Sequence, residues 1–260
     1  MNVMPNITKW FQSNRLSLNA SKSNYQIFAR NCVSDLNMTL QNTLIERKAS
    51  VRYLGVYVDE NLKWHNHIAY VVSTISRNLG IMGRAKYLLS ARELTLLYNT
   101  LILPHLTYCA VIWGSNYEIN VKRVFMLQKR TLRIVDRKPY IYPSNELFVK
   151  HKILKFKDIV KEQSLMILLA YIKDVLPGPV ARMFKYERAT NTRQAKHFDI
   201  PVALRNYRLF ALSCNAPIIW NSIIASNIKD LNDVPRNKAV LKKRVRKYFI
   251  EEYSKIGNGS

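Results

Sequence analysis

Apolar positions change period near residue 59. Before it they come in short runs. Residues 6–16 place Ile7, Trp10, Phe11 and Leu16 near helical spacing, with Asn6 or Thr8 as the cap. Residues 14–23 are polar and turn-forming. Strand-like alternation follows at 24–30, 37–41 and 43–47, and again from Val51 to Val58, where one strand passes through Gly55. After Asp59, Ile68, Val71, Val72, Ile75, Leu79 and Met82 recur at spacings of three and four, which predicts a helix to about Met82. Ser90-x-x-Glu93 reads as a capping box opening a second helix, with Leu94, Leu97, Tyr98, Leu101 and Ile102 on its buried face. Pro104 predicts a kink or a new helix ending at Gly114, with Tyr108, Ile112 and Trp113 in its core. Further helices are predicted at 118–137, 156–175, 206–224 and 237–252, with a loop between Pro139 and Pro143. The fold class is α+β, mainly α: a small antiparallel sheet, then a helical region. Pro177-Gly178-Pro179 marks an internal boundary, giving parts 1–60, 61–176 and 177–260.

Charge sharpens this picture. The chain carries 41 Lys plus Arg against 17 Asp plus Glu, a formal net charge of +24. The excess is +3 over residues 1–60, +11 over 61–180 and +10 over 181–260. Such an excess attracts phosphate-bearing partners and makes binding salt-dependent. In the 118–137 helix, Lys122, Lys129, Arg130, Arg133 and Arg137 lie largely opposite Val121, Val124, Phe125, Leu132 and Val135, a basic stripe over a buried face. The run Lys242-Lys243-Arg244-Val245-Arg246-Lys247 reads equally as a nucleic-acid or nuclear-localisation patch and as one helix's solvent side. Cys32, Cys109 and Cys214 are far apart and odd in number, which indicates neither a zinc site nor a disulfide framework. His65 and His67, two residues apart, do not share a helix face, so no metal is expected there. No segment reads as a signal peptide or a membrane span. The expected setting is intracellular, nuclear or cytoplasmic.

Three motifs carry a family resemblance. Val51 to His67 reads VRYLGVYVDENLKWHNH, with Tyr53-Leu54-Gly55 ahead of Asp59-Glu60-Asn61-Leu62-Lys63-Trp64. Residues 14–28 hold Asn14, Leu16, Leu18, Asn19, Lys22 and Ser23 ahead of an apolar run. Residues 98–114 read YNTLILPHLTYCAVIWG. Together they resemble the end of the palm and the thumb in reverse transcriptases of jockey-like, non-LTR (LINE-type) retrotransposons. Tyr171, Leu176-Pro177, Asn191-Thr192-Arg193, Pro201 and Trp220-Asn221 follow in the family's order. The resemblance implies that Tyr53, Leu54 and Gly55 form a primer grip and that Lys22 contacts the leaving pyrophosphate. A lysine suits that place because an ammonium neutralises charge developing on a phosphate. Lys63, just beyond the grip, is a further candidate for contacting nucleic acid.

The family's polymerases hold two Mg2+ ions on aspartates that lie upstream of these motifs. The acid pairs here, Asp59-Glu60 and Glu251-Glu252, do not follow an apolar hairpin and read as a turn and a helix surface. The expectation is therefore a fragment with no cofactor of its own, separated from the upstream palm and fingers, that binds RNA, DNA or an RNA–DNA hybrid without catalysing polymerisation. The alternative is an exapted basic nucleic-acid-binding or interaction protein.

Overall fold

The computed structural model describes residues 4–17, 19, 22–29, 36–40, 43–187, 197–203, 206–225 and 237–257. Leu18, Arg30, Cys32 and Asn191-Thr192-Arg193 lie outside the described residues. The chain divides into two compact units, 1–67 and 68–260.

The first unit opens with α1 (Met4–Ser13). Strand β1 (Asn24–Tyr25) pairs in parallel with β4 (Glu46–Arg47), whereas β2 (Thr39–Leu40) and β3 (Thr43–Leu44) form an antiparallel pair. Helix α1 begins before Asn6, so neither Asn6 nor Thr8 caps it, and Trp10 and Leu16 are exposed. The larger correction concerns Val51 to Val58. They are not one strand but a hairpin, β5 (Ser50–Tyr53) against β6 (Val56–Asp59), with Tyr53 opposite Val56. Leu54 and Gly55 form its two-residue turn at φ 45° and 85°. Two consecutive positive φ values are the signature of a type I′ turn, whose twist matches that of the flanking strands. The Asp59 carboxylate then accepts from the backbone N–H groups of Lys63 and Trp64, both at 2.8 Å, and this clamp launches α2 (His65–Ala85).

In the second unit the capping box holds: Ser90 and Glu93 satisfy each other's backbone donors at the start of α3 (Ala91–Leu97). A π-turn at Tyr98–Ile102 leads into α4 (Leu103–Thr107). Tyr108 is extended and Cys109 is left-handed at φ 51°, so the chain breaks before α5 (Ala110–Trp113). Trp113 is fully buried, stacks on Phe156 with centroids 5.3 Å apart and donates to the Tyr108 carbonyl at 2.9 Å. A Cβ on Gly114 would lie 2.6 Å from Val160, so only glycine lets α5 end against that wall. Tyr108, expected in the core, is 52% exposed, and Ile112 is exposed too, because the break at Cys109 turns both outward.

Helix α6 (Glu118–Val135) runs to α7 (Ser144–Lys150), which periodicity did not reveal, and then to the largely buried α8 (Phe156–Ile172). Gln128 joins three elements: its amide donates to the Tyr98 hydroxyl and the Leu154 carbonyl and accepts from the Phe156 N–H. The short α9 (Gly178–Ala181) precedes the antiparallel pair β7 (Tyr186–Glu187) and β8 (His197–Phe198). A 3-10 turn at Asn206–Phe210 leads to α10 (Leu212–Ala225), followed by α11 (Lys238–Gly257). Both α10 and α11 pack on α8, so elements on either side of Pro177-Gly178-Pro179 share one core. The Trp220-Asn221 motif has a physical role: Trp220 meets the Phe198 ring edge-on, and the Asn221 amide brackets the Phe198 backbone N–H and C=O.

Candidate nucleic-acid interface

Two surfaces follow from these elements, one in each unit. In the first unit the hairpin turn projects its tip: Tyr53 is 67% and Leu54 73% exposed. The Arg52 guanidinium stands 5.8 Å from the Tyr57 ring on the neighbouring strand. Lys63 is exposed, in the segment whose backbone Asp59 clamps. Lys22 is exposed on a turn held by Asn19, which accepts from the Lys22 N–H and the Ser23 hydroxyl.

In the second unit a cleft of about 560 Å3 lies between α2 and α6. Gly80 and Gly83 line its α2 side; a Cβ on Gly80 would meet nothing within 4 Å, which leaves that wall open. Four cations face the cleft: Lys86 from beyond α2, Arg130 and Arg133 from α6, and Lys138 from the loop after α6; no carboxylate lines it. None of the four is in an ion pair among the described residues. Asp136, the acid between Arg133 and Arg137, is turned to other work: Lys150 and His151 hold it at 2.7 and 3.2 Å. Burial alone would raise its carboxyl, but the Lys150 ammonium, with the hydrogen bond to His151, keeps it below the ordinary carboxylate range.

The structure thus divides the basic stripe. Arg130 and Arg133 enter the cleft. Lys129 stands 4.5 Å over the Phe125 ring outside it, and Lys122 is exposed but does not line it. Arg137 lies beyond α6 at φ 53° and donates to the Leu89 carbonyl at 2.8 Å, tying the two loops at that end of the cleft. Lys86, Lys138 and Tyr140 went unseen in the sequence because they converge only when α2 and α6 pack. On α11 the run 242–247 splits likewise: Val245 is buried, Arg246 pairs with buried Glu162 at 2.5 Å, and Lys242, Lys243 and Lys247 are exposed.

The carboxylates named as alternatives for chemistry are all committed. Asp59 clamps the start of α2, and Glu60 pairs with Arg47 at 2.8 Å, which lowers its pKa. Glu251 and Glu252 pair with Lys247 and Lys255. Among the described residues no group of three His, Cys, Asp or Glu is placed to hold a metal ion. No described helix is long and apolar enough to cross a membrane.

Comparison with known proteins agrees with the motifs. The chain is 24% identical over 161 residues to the RNA-directed DNA polymerase from mobile element jockey of Drosophila funebris, covering 59% of this chain and 17% of that protein. The Drosophila melanogaster jockey polymerase is 23% identical over 156 residues, 58% of this chain and 17% of its own length. This chain is related to the reverse transcriptases of non-LTR retrotransposons. The probable RNA-directed DNA polymerase from the Drosophila melanogaster transposon X-element is 22% identical over 160 residues, 60% of this chain and 17% of its length. This retrotransposon-related chain therefore matches about one sixth of each of these relatives. No protein-family profile matches it. No solved structure matches it.

Proposed function

We propose that this chain grips primer-template nucleic acid as one part of a retrotransposon RNA-directed DNA polymerase, inside the cell, and supplies no bond-forming carboxylates itself. The observation that carries the reading is the α2–α6 cleft, where four cations meet with no acid in the lining. The hairpin tip at Tyr53-Leu54-Gly55, with Lys63, is the gripping surface of the first unit, and Lys22 a further phosphate contact. Lys122, Lys129 and Arg137 widen the positive field around α6. Magnesium chemistry belongs to parts of the polymerase that carry converging acids, because the adjacent acid pairs of this chain, Asp59-Glu60 and Glu251-Glu252, are held in ion pairs and a helix clamp.

Fluorescence anisotropy with an RNA–DNA hybrid tests this. Neutralising four phosphates makes affinity fall roughly 100-fold between 50 and 200 mM salt. Replacing Lys86 and Arg130 by alanine should lower the salt slope by about 2, one for each phosphate contact removed. A flat salt dependence, or an unchanged slope in the double variant, sinks the cleft reading. With magnesium and a poly(rA) template the chain alone should add no nucleotides to a primer.

A further inference from the structure

The cleft has a second property that its charge does not explain. Two loops meet at one end of it, 86–90 after α2 and 137–142 after α6, joined by the hydrogen bond from Arg137 to the Leu89 carbonyl. Each loop presents a tyrosine ring to solvent beside a cation of the cleft. Tyr87 is 78% exposed, with the Lys86 ammonium 4.8 Å over its ring. Tyr140 is 68% exposed, with the Arg133 guanidinium 5.5 Å over its ring. Neither ring is core, and each belongs to a loop fixed by backbone hydrogen bonds: Lys86 to Met82, Leu88 to Ala85, and Tyr142 to Pro139. Arg133 also donates to the Tyr142 carbonyl at 2.9 Å, which holds the second loop against α6. The backbones that carry the rings are thus pre-set, which leaves less to order on binding.

A duplex hides its base faces and offers only grooves and phosphates. Exposed rings beside cations are suited to unpaired bases, because every base has a flat face to stack and every linkage a phosphate to neutralise. We infer that this end of the cleft is a stacking platform for single-stranded nucleic acid, with Tyr87 and Tyr140 holding unpaired bases and Lys86, Arg133 and Lys138 their phosphates. The inference rests on the cleft being a nucleic-acid site and adds which form of strand it takes there.

The test uses the full chain with two 12-nucleotide probes, an oligo(dA) and an abasic strand of equal charge. The oligo(dA) should bind at least about tenfold tighter, since each stacked base contributes a factor of roughly 5 to 150. Replacing both Tyr87 and Tyr140 by alanine should erase that preference and leave the salt slope unchanged. Replacing both by phenylalanine should preserve it, which separates stacking from a hydroxyl contact. Both tyrosines are solvent-facing, and a thermal melt identical to the parent's confirms that the alanine variant is folded. Equal affinity for the two probes, or a preference that survives the alanine pair, overturns the platform and leaves the rings to a protein surface. If both probes bind equally with steep salt dependence, only the platform fails. If neither probe nor the hybrid binds, the cleft reading fails with it.

Discussion

The two units solve the same problem differently. The second, from Ile68, buries an aromatic and aliphatic core around Trp113, Tyr98, Phe148 and Phe156 and threads satisfied polar links through it. The first, to His67, pairs its strands two by two. Among its described residues it buries Leu40, Ile45, Val56 and His67 while leaving Trp10, Phe28, Leu36 and Leu44 exposed. The second unit is held by packing, whereas the first is held by turns, the Asp59 clamp and the Arg47–Glu60 pair. Two-stranded pairs are marginal by themselves and leave open edges. Charge divides the same way: 33 of the 41 basic residues lie from Ile68 onward. A well-packed framework can hold cations in a cleft, whereas a hairpin can present only a tip.

The sharpest break in this comparison is Trp113→Ala. It removes the largest fully buried side chain, and it should destabilise the second unit by about 3–5 kcal/mol in urea unfolding. Leu44→Ala, on an exposed strand of the first unit, should stay within about 0.5 kcal/mol. Similar costs at both positions would end the distinction between a packed unit and a turn-held one.

Next in size is a pH effect confined to the first unit. His67 is buried, and burial pushes its pKa down from 6.5 to about 4. Above pH 6.5 the ring is neutral folded or unfolded, so the full stability is present. As pH falls from 6.5 toward 4 the unfolded chain takes up a proton that the folded one refuses. Up to about 3 kcal/mol is lost across that window. Glu60, whose pKa is lowered chiefly by its hydrogen bond from Arg47, adds its own loss only below its ordinary value of 4.5. Urea melts at pH 7, 5.5 and 4.5 should show the decline, and His67→Leu should flatten it. A slope unchanged in that variant would assign the decline to another group. Smaller again is Gln128→Ala, which orphans the buried Phe156 N–H and Leu154 C=O and should cost about 2 kcal/mol.

What could be read from the sequence follows the same divide. The 3.6-residue period around Ile75 and Met82, the Ser90–Glu93 box and the buried face of α6 were legible because a large core imposes a long repeat. Helix α7 was not, because seven residues hold barely two turns of pattern. The Cys109 break was invisible because nothing in Tyr108-Cys109-Ala110 announces a positive φ. At the cleft, Arg130 and Arg133 were legible as part of a stripe on one helix. Lys86, Lys138 and Tyr140 were not, because tertiary packing and not sequence spacing brings them together. The hairpin failed for a local reason. Two-residue type I′ turns favour Asn-Gly or Asp-Gly, and here the first turn position is Leu54.

That misread residue gives the smallest effect and the most discriminating one. Leucine at φ 45° carries the cost of a left-handed backbone, which asparagine tolerates far better. Leu54 is also largely exposed, so its side chain gains little from burial. Leu54→Asn converts the turn to Asn-Gly and should stabilise the first unit by about 0.5–1 kcal/mol. If the tip contacts nucleic acid, the same change trades an exposed apolar contact for a smaller polar one, and hybrid affinity should fall several-fold at constant salt slope. A gain in stability with no loss of affinity would leave the strained leucine without a binding role and confine the grip to the helical cleft. No gain in stability would mean that the left-handed turn costs this hairpin nothing, and that the first unit is tied down more firmly than its two-stranded pairs show.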